Sequence, residues 1–366
     1  MTAKSDLSLL EVPVDPQRIS SFQDALTKWF GDEGKSYPWR ETVDPYAILV
    51  SELMLQQTRI QTVLEKRYFE RWMEKFPDME SLALAKEEEV LKAWEGLGYY
   101  NRARNLQKTA AVITKTYGGT FPEDYSQILT LPGVGPYTAG AVYSFAFGKR
   151  APIVDGNIIR VLTRLFSYPG AVDTSEGIKQ LWFWAEKMTP QENVRIYNSA
   201  IMELGQSICS RSAPRCNECP VLEWCQSGNL GEAEQYPVKA KSTKITRKQE
   251  HVVVIRKGSR VFLVKEEGTR RKGLWRLPEV DEAQASGLKV LFTSIYFITR
   301  YKVNLVVHSA NDFKTSHLSE QTRENGRWFD IFPTLEDLPP LGAPYRKALI
   351  ELGKMSKNHN KKDSDK

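Results

Sequence analysis

The chain has 366 residues, enough for two or three domains with cores of their own. An apolar fraction of 41% and a charged fraction of 26% exclude a low-complexity chain, and no apolar run approaches membrane-spanning length. The net charge of +6 admits a polyanion as partner without requiring one.

The N-terminal MTAKSDLSLLEVPVDPQ lacks the apolar core of a secretory signal. The expected setting is therefore the cytoplasm, not secretion, where cysteines stay reduced and serve more readily as metal ligands than as disulfides. The first two thirds read as helical. DPYAILVSELMLQQTRIQTVLEKRYFERWMEKF opens with Asp44 as helix cap and Pro45 at the first helical position. MESLALAKEEEVLKAWEGLGYY and YNRARNLQKTAAVITKTYGG continue the pattern, the second ending at a glycine pair suited to a C-cap.

Beyond Cys225 the character changes. Lys239 to Lys272 holds twelve basic residues against three acidic, beginning in the polar KAKSTKITRKQEH. This reads as a basic linker at 229–249, either a solvated connector or a segment lying against phosphates. HVVVIRK, RVFLVKE, FTSIYFITR, KVNLVVHSA and GRWFDIF then cluster β-formers as strands, and APYRKALIELGK reads as a closing helix. The expected layout is a helical body at 18–228, an α+β domain at 250–353, and a disordered polar tail at 354–366.

The chemistry-bearing residues are few. Cys209, Cys216, Cys219 and Cys225 are the only cysteines and share one short loop, so four thiolates could close on zinc or on an iron–sulfur cluster. With one CxxC pair rather than two, the spacing tilts toward a cluster. In LPGVGPYTAG, Gly133 and Gly135 permit a tight turn before a helix opened by Pro136; such a hairpin is either a plain turn or an anion site of backbone N–H groups. Glu52 lies in AILVSELML, apolar on nearly every side, where a carboxyl has a raised pKa and suits a general acid. A polar residue on a helix seam is the alternative. Asp155 stands at a helix N-cap, a role that keeps it fixed.

Taken together, the LPGVGxxTA hairpin at about 126–147, an aspartate twenty residues past its second glycine, and the Cys–x6–Cys–x2–Cys–x5–Cys loop resemble the endonuclease III superfamily of DNA glycosylases. The resemblance covers roughly Phe22 to Cys225. It implies a mainly α helix-hairpin-helix body with a 4Fe–4S cluster on loop 209–225. SELMLQQTR, WEGLGYYNRARNL, PWRETVDPY and VDGN look like the MutY-type adenine DNA glycosylases, which remove adenine mispaired with 8-oxoguanine. GLWRLPEVDE is similar to a segment of their Nudix-like recognition domain, here without the Glu-rich helix of a Nudix hydrolase, so that domain is expected to bind and not to hydrolyse.

The resemblance implies roles. Members that cut the strand carry a lysine where Tyr137 stands; a phenol cannot form an imine, so base removal without strand cleavage is expected. Glu52 and Asp155 would be the catalytic pair, Tyr137 and Asn157 their supports. Gln57, Tyr99 and Tyr100 would enter the base stack, Gly133 and Gly135 would bind phosphate, and Trp39 and Arg40 would line the adenine pocket; the aromatics could equally be core. Two positions depart from the pattern. Ser199 follows Asn198 where a Gln or Glu is usual, and Ile298, Thr299 and Arg300 fill the loop that senses 8-oxoguanine, with arginine in place of histidine; His317 is a weaker substitute. The expected partner is duplex DNA bearing A·8-oxoguanine or A·G, met by a monomer in the nucleoid. The rival readings are a related enzyme for another base, such as thymine in T·G, and a DNA-binding protein without activity.

Overall fold

The computed structural model describes residues 15–240, 244–268, 271–310, 314–331 and 337–363, with backbone alone from 354 onward. It divides into two units, Met1–Ala83 with Lys108–Ser242, and Leu84–Gln107 with Thr243–Lys366.

In the first unit Asp44 accepts hydrogen bonds from the Tyr46 and Ala47 amides, and Pro45 opens the helix Pro45–Leu55 as the sequence predicts. Every side chain from Tyr46 to Met54 is buried. The helical pattern predicted to run on to Phe76 is cut at Gln56–Gln57, with Gln57 left-handed at φ 58°. The apolar run ends there, and the polar QQTR cannot follow it into the core. Shorter helices Ile60–Glu65 and Tyr68–Lys75 follow. Trp72 Nε1 donates to the Tyr46 hydroxyl at 3.0 Å, and that hydroxyl to the Phe76 carbonyl at 2.8 Å, folding the last helix back.

The predicted hairpin is present as helices Tyr125–Leu129 and Pro136–Phe145. Gly133 has φ 76°, a conformation that a side chain disfavours, and so needs glycine. Gly135 caps the second helix in ordinary extended backbone. Helix Gly156–Leu165 then buries Ile158, Val161, Leu162 and Leu165 against Ser175–Met188 and Val194–Ser207, around Trp184 and Leu204.

The second unit is α+β. Strands β1 (Thr246–Val254), β2 (Arg256–Lys257), β3 (Arg260–Lys265), β4 (Trp275–Arg276), β5 (Glu279–Val280), β6 (Val290–Ile298), β7 (Tyr301–Ser309) and β8 (Gly326–Asp330) form two sheets. One has the order β5-β1-β7-β6 with β1 and β7 parallel; the other is β2-β3-β4 with β8 also on β3. The five strands legible in sequence are all present, and the short β4 and β5 are additions. β1 starts inside the segment read as linker, because Thr246 to Glu250 pair with Tyr301 to Leu305. Residues 241–243 of that linker lie outside the described ones.

Residues 84–107, read from sequence as part of the helical body, group with this unit. Lys92 Nζ donates to the Leu338 carbonyl at 2.6 Å, and Glu95 accepts from the Leu341 amide at 2.9 Å and from Arg346 at 2.5 Å. The closing helix Ala343–Asp363 buries Tyr345 and Ala348 completely. It runs ten residues into the stretch expected to be a disordered tail, since no Gly or Pro follows Gly353 to stop it. Residues 364–366 lie outside the described ones. No helix among the described residues is long and apolar enough to cross a membrane.

Candidate active site

Helix Pro45–Leu55 carries Glu52 into the interior, where it is 5% exposed. Its Oε2 accepts a hydrogen bond of 2.7 Å from the Tyr137 hydroxyl, which the hairpin's second helix supplies from 85 positions away. Burial lifts the Glu52 carboxyl to about 7; the negative charge of Asp155 adds to the rise, while the Tyr137 bond and the charge of Arg40 oppose it. Burial and the two neighbouring carboxylates push the Tyr137 phenol well up, so it remains a donor.

Asp155 caps helix Gly156–Leu165. Oδ1 accepts from the Asn157 amide at 2.9 Å and the Ile158 amide at 2.8 Å, and Oδ2 from Asn157 Nδ2 at 2.9 Å. Burial raises this carboxyl above its ordinary value, and the three donors offset part of the rise. Because every partner is an N–H, the anion is the form this cradle fits. The capping and catalytic readings of Asp155 are thus compatible in one geometry.

Glu52, Tyr137, Asp155, Asn157 and Gln57 line one cleft of about 1150 Å³. A smaller cavity of about 290 Å³ adjoins it, lined by Trp39, Arg40, Glu52 and Ser199. Trp39 stacks on Tyr37 at 5.3 Å and meets Phe69 edge-on. Arg40 is not free to read a ligand with its whole guanidinium: Nη1 pairs with the buried Glu203 at 2.9 Å, and the group lies 4.7 Å over Tyr37. Tyr37, Glu203 and Gln206 were not singled out from the sequence. Nothing in their local pattern marks them, although Gln206 follows Ser199 by seven positions on one helix face.

Another residue missed from sequence is Arg160. It donates to the Asn157 side chain at 3.0 Å and to the Cys209 carbonyl at 2.7 Å, so one guanidinium joins the Asp155 cradle to the cysteine loop. On that loop, Arg164 Nη1 donates to Cys209 Sγ at 3.3 Å and the Gly228 amide to Cys225 Sγ at 3.3 Å. Burial, with a smaller contribution from the other three sulfurs, pushes the Cys219 thiol up to about 12. Among the described residues no three His, Cys, Asp or Glu side chains form a group placed to hold a metal ion. The donor set nonetheless suits a cluster that takes four thiolates, with N–H donors already turned toward sulfur.

The remaining predicted residues divide. Tyr99 is 51% exposed with φ 46°, held by Arg102, which donates to the Leu97 and Gly98 carbonyls at 3.0 Å. Tyr100 corrects the reading of a paired wedge: it is 5% exposed, and its hydroxyl bonds the Leu341 carbonyl at 3.4 Å. It is a core aromatic. Thr299, at φ 52°, and Arg300 form the turn from β6 to β7, with the Arg300 guanidinium 5.3 Å over Tyr301. His317 sits in an exposed turn, Thr315–His317.

Residues 50–187 match the family described as HhH-GPD superfamily base excision DNA repair protein. The chain is 36% identical to the adenine DNA glycosylase of Buchnera aphidicola subsp. Acyrthosiphon pisum, over 67% of this chain and 69% of that one. It is 38% identical to the human adenine DNA glycosylase, over 60% of this chain and 42% of that one. Among solved structures it resembles a thermostable thymine-DNA glycosylase, with a TM-score of 0.54 and 32% identity over 58% of this chain and 98% of that one. It also resembles endonuclease III in a non-covalent complex with DNA, with a TM-score of 0.50 and 29% identity over 59% of this chain and 97% of that one.

Proposed function

The chain belongs to the HhH-GPD superfamily of base excision DNA repair proteins, among its adenine DNA glycosylases, and from that premise we propose how its residues release the base. Adenine mispaired with 8-oxoguanine or guanine in duplex DNA is the proposed substrate. A base inside the duplex cannot reach Glu52, so it is flipped into the 290 Å³ cavity. Gln57 fills the stack behind it, Tyr99 is proposed separately as a residue that enters the base stack, and Gly133 and Gly135 turn backbone N–H groups to a phosphate.

Neutral Glu52 gives its proton to N7 of adenine, and the C1′–N9 bond breaks with its electron pair going to the base. The sugar is left with oxocarbenium charge, which the Asp155 carboxylate stabilises or captures at C1′. Glu52, now ionised, takes a proton from water as the oxygen adds to C1′, and the acid is restored. Tyr137 holds Glu52, and Asn157 with the Ile158 amide holds Asp155. With a phenol at position 137 no imine forms, so the strand stays intact. The single observation that carries this reading is that Glu52, bonded to Tyr137, and Asp155 line the same cleft.

Cys209, Cys216, Cys219 and Cys225 are proposed to hold a 4Fe–4S cluster. Such a group, when bound, ties the loop together through four thiolates. Arg160 then carries that rigidity to Asn157. The α+β unit is proposed as a Nudix-like reader of the opposite base, with Thr299 and Arg300 as donors toward 8-oxoguanine. The enzyme acts as a monomer beside DNA, in the nucleoid.

A gel assay with A·8-oxoguanine, A·G and T·G duplexes tests the whole reading. The adenine strand is expected to break only after alkali. Breakage without alkali sinks the role of Tyr137, and release of thymine in place of adenine sinks the base assignment. Gly205 offers a finer probe. A Cβ there would stand 2.7 Å from Asn157 Cβ, so Gly205→Ala must push the Asp155 cradle aside. Single-turnover release is expected to slow by about tenfold to a hundredfold, the scale of an ångström misplacement.

A further inference from the structure

Helix Val194–Ser207 turns Ser199, Met202 and Gln206 onto the same side, and all three line the 290 Å³ cavity. Seven residues at about 100° each bring position 206 almost in line with position 199, two turns further along. Side chains on a helix lean toward its N-terminus, so a long one at 206 covers the turn before it, in the direction of Ser199. Gln206 also lines the larger cleft, as Glu52 does, and so stands where the two spaces meet.

Gln206 Oε1 is buried and has no hydrogen-bond partner among the described residues. A buried acceptor left unpaired is destabilising, so the amide of this cavity-lining residue lacks a donor, which a turn of the side chain toward a bound base supplies. Ser199 is 8% exposed and offers the cavity only a short hydroxyl. The amide that position 199 lacks is present at position 206.

We infer that Gln206 is the specificity-determining residue for the base, reading the N6–N1 edge of the flipped adenine. This rests on the adenine reading above. Oε1 accepts from the exocyclic N6 amino group, and Nε2 donates to N1. An amide matches adenine in this two-bond way because it offers one acceptor beside one donor, as adenine does in reverse. N7, on the other side of N6, stays open to Glu52, so reading and protonation do not compete. A base with an oxygen at C6 sets acceptor against acceptor.

The test compares single-turnover excision of adenine and of unsubstituted purine, which lacks the N6 amino group, each opposite 8-oxoguanine. Wild type is measured beside Gln206→Met, which keeps the length and loses the amide, and beside Gln206→Ala. Adenine excision is expected to fall on the order of tenfold in both variants, and purine excision, which loses the N1 bond but has no N6 donor to lose, to fall less, so the adenine-to-purine ratio drops. Adding Ser199→Gln to Gln206→Ala is expected to recover part of that ratio. Equal losses on both substrates would show a structural role and overturn the inference, as would an unchanged ratio. A wild type that releases purine but leaves adenine in place overturns the proposed function, and this inference with it; a wild type active on adenine with an unmoved ratio overturns only the inference.

Discussion

Glu52→Gln is expected to lower single-turnover adenine release by at least about a thousandfold while raising thermal stability at pH 8. The loss follows from removing the acid that protonates the base, since general acid catalysis is worth roughly a hundredfold to ten-thousandfold and the same group serves again as base toward water. The gain follows from linkage. Glu52 titrates at about 7 in the folded chain against 4.5 as a free side chain. Between those values the native state keeps a proton that the unfolded state gives up, so stability falls as pH rises through the window, and above 7 the full penalty stands. A shift of that size corresponds to on the order of 3 kcal/mol. Glutamine keeps an oxygen for the Tyr137 hydroxyl and carries no charge, so the penalty disappears. Melting curves of both proteins should separate at pH 8 and converge near pH 4. In the wild type the same titration makes release fall as pH rises through about 7. A variant that turns over within tenfold of wild type, or melts lower at pH 8, refutes this account of Glu52.

Asp155→Asn is expected to cut the rate by about a thousandfold with the fold and DNA affinity retained. An asparagine oxygen can still cap the helix by accepting from the Asn157 and Ile158 amides, so stability should change by less than about 1 kcal/mol. Its new NH₂ meets Asn157 Nδ2, donor against donor. Asn157 cannot simply turn its amide, because its Oδ1 already accepts from Arg160 at 3.0 Å. The carboxylate that faces the developing sugar charge is gone, a loss of about a hundredfold to a thousandfold by comparison with other pre-placed electrostatic groups. A second effect points the same way. The Asp155 charge raises the Glu52 carboxyl, so its removal moves the alkaline limb of the rate to lower pH. Stopped single-turnover assays across pH 5–9, beside fluorescence binding of the same duplex, check both effects. Turnover within tenfold of wild type, or a limb that stays put, refutes the assigned role.

Much of this site was legible along the chain because its chemistry is local. Asp44 and Asp155 cap the next turn, Pro45 and Pro136 open helices, and Gly133 needs its left-handed turn; each of these is decided by neighbours one to three positions away. The strands of the α+β unit were legible for the same reason, since period-two β-formers need no knowledge of their partners. Glu52 stood out because a carboxylate among so many apolar residues is anomalous in any fold.

What stayed hidden depends on contacts between distant parts of the chain. No local pattern says that Tyr137 donates to Glu52, that Arg160 bridges Asn157 to the Cys209 carbonyl, or that Glu203 holds Arg40 across 163 positions. Tyr99 and Tyr100 are adjacent and identical in type, yet one is exposed and the other buried under Leu341. By itself the amino-acid order determined which side chains could be acid, anion, ligand or cap. Only the packed fold decided which of them share a space, because burial and the resulting shift of Glu52 to about 7 come from surfaces that meet only after the helices close. Gln206 is the clearest case: an ordinary glutamine on paper, it becomes a cavity-lining residue with a buried acceptor unpaired among the described residues once helix Val194–Ser207 takes its place.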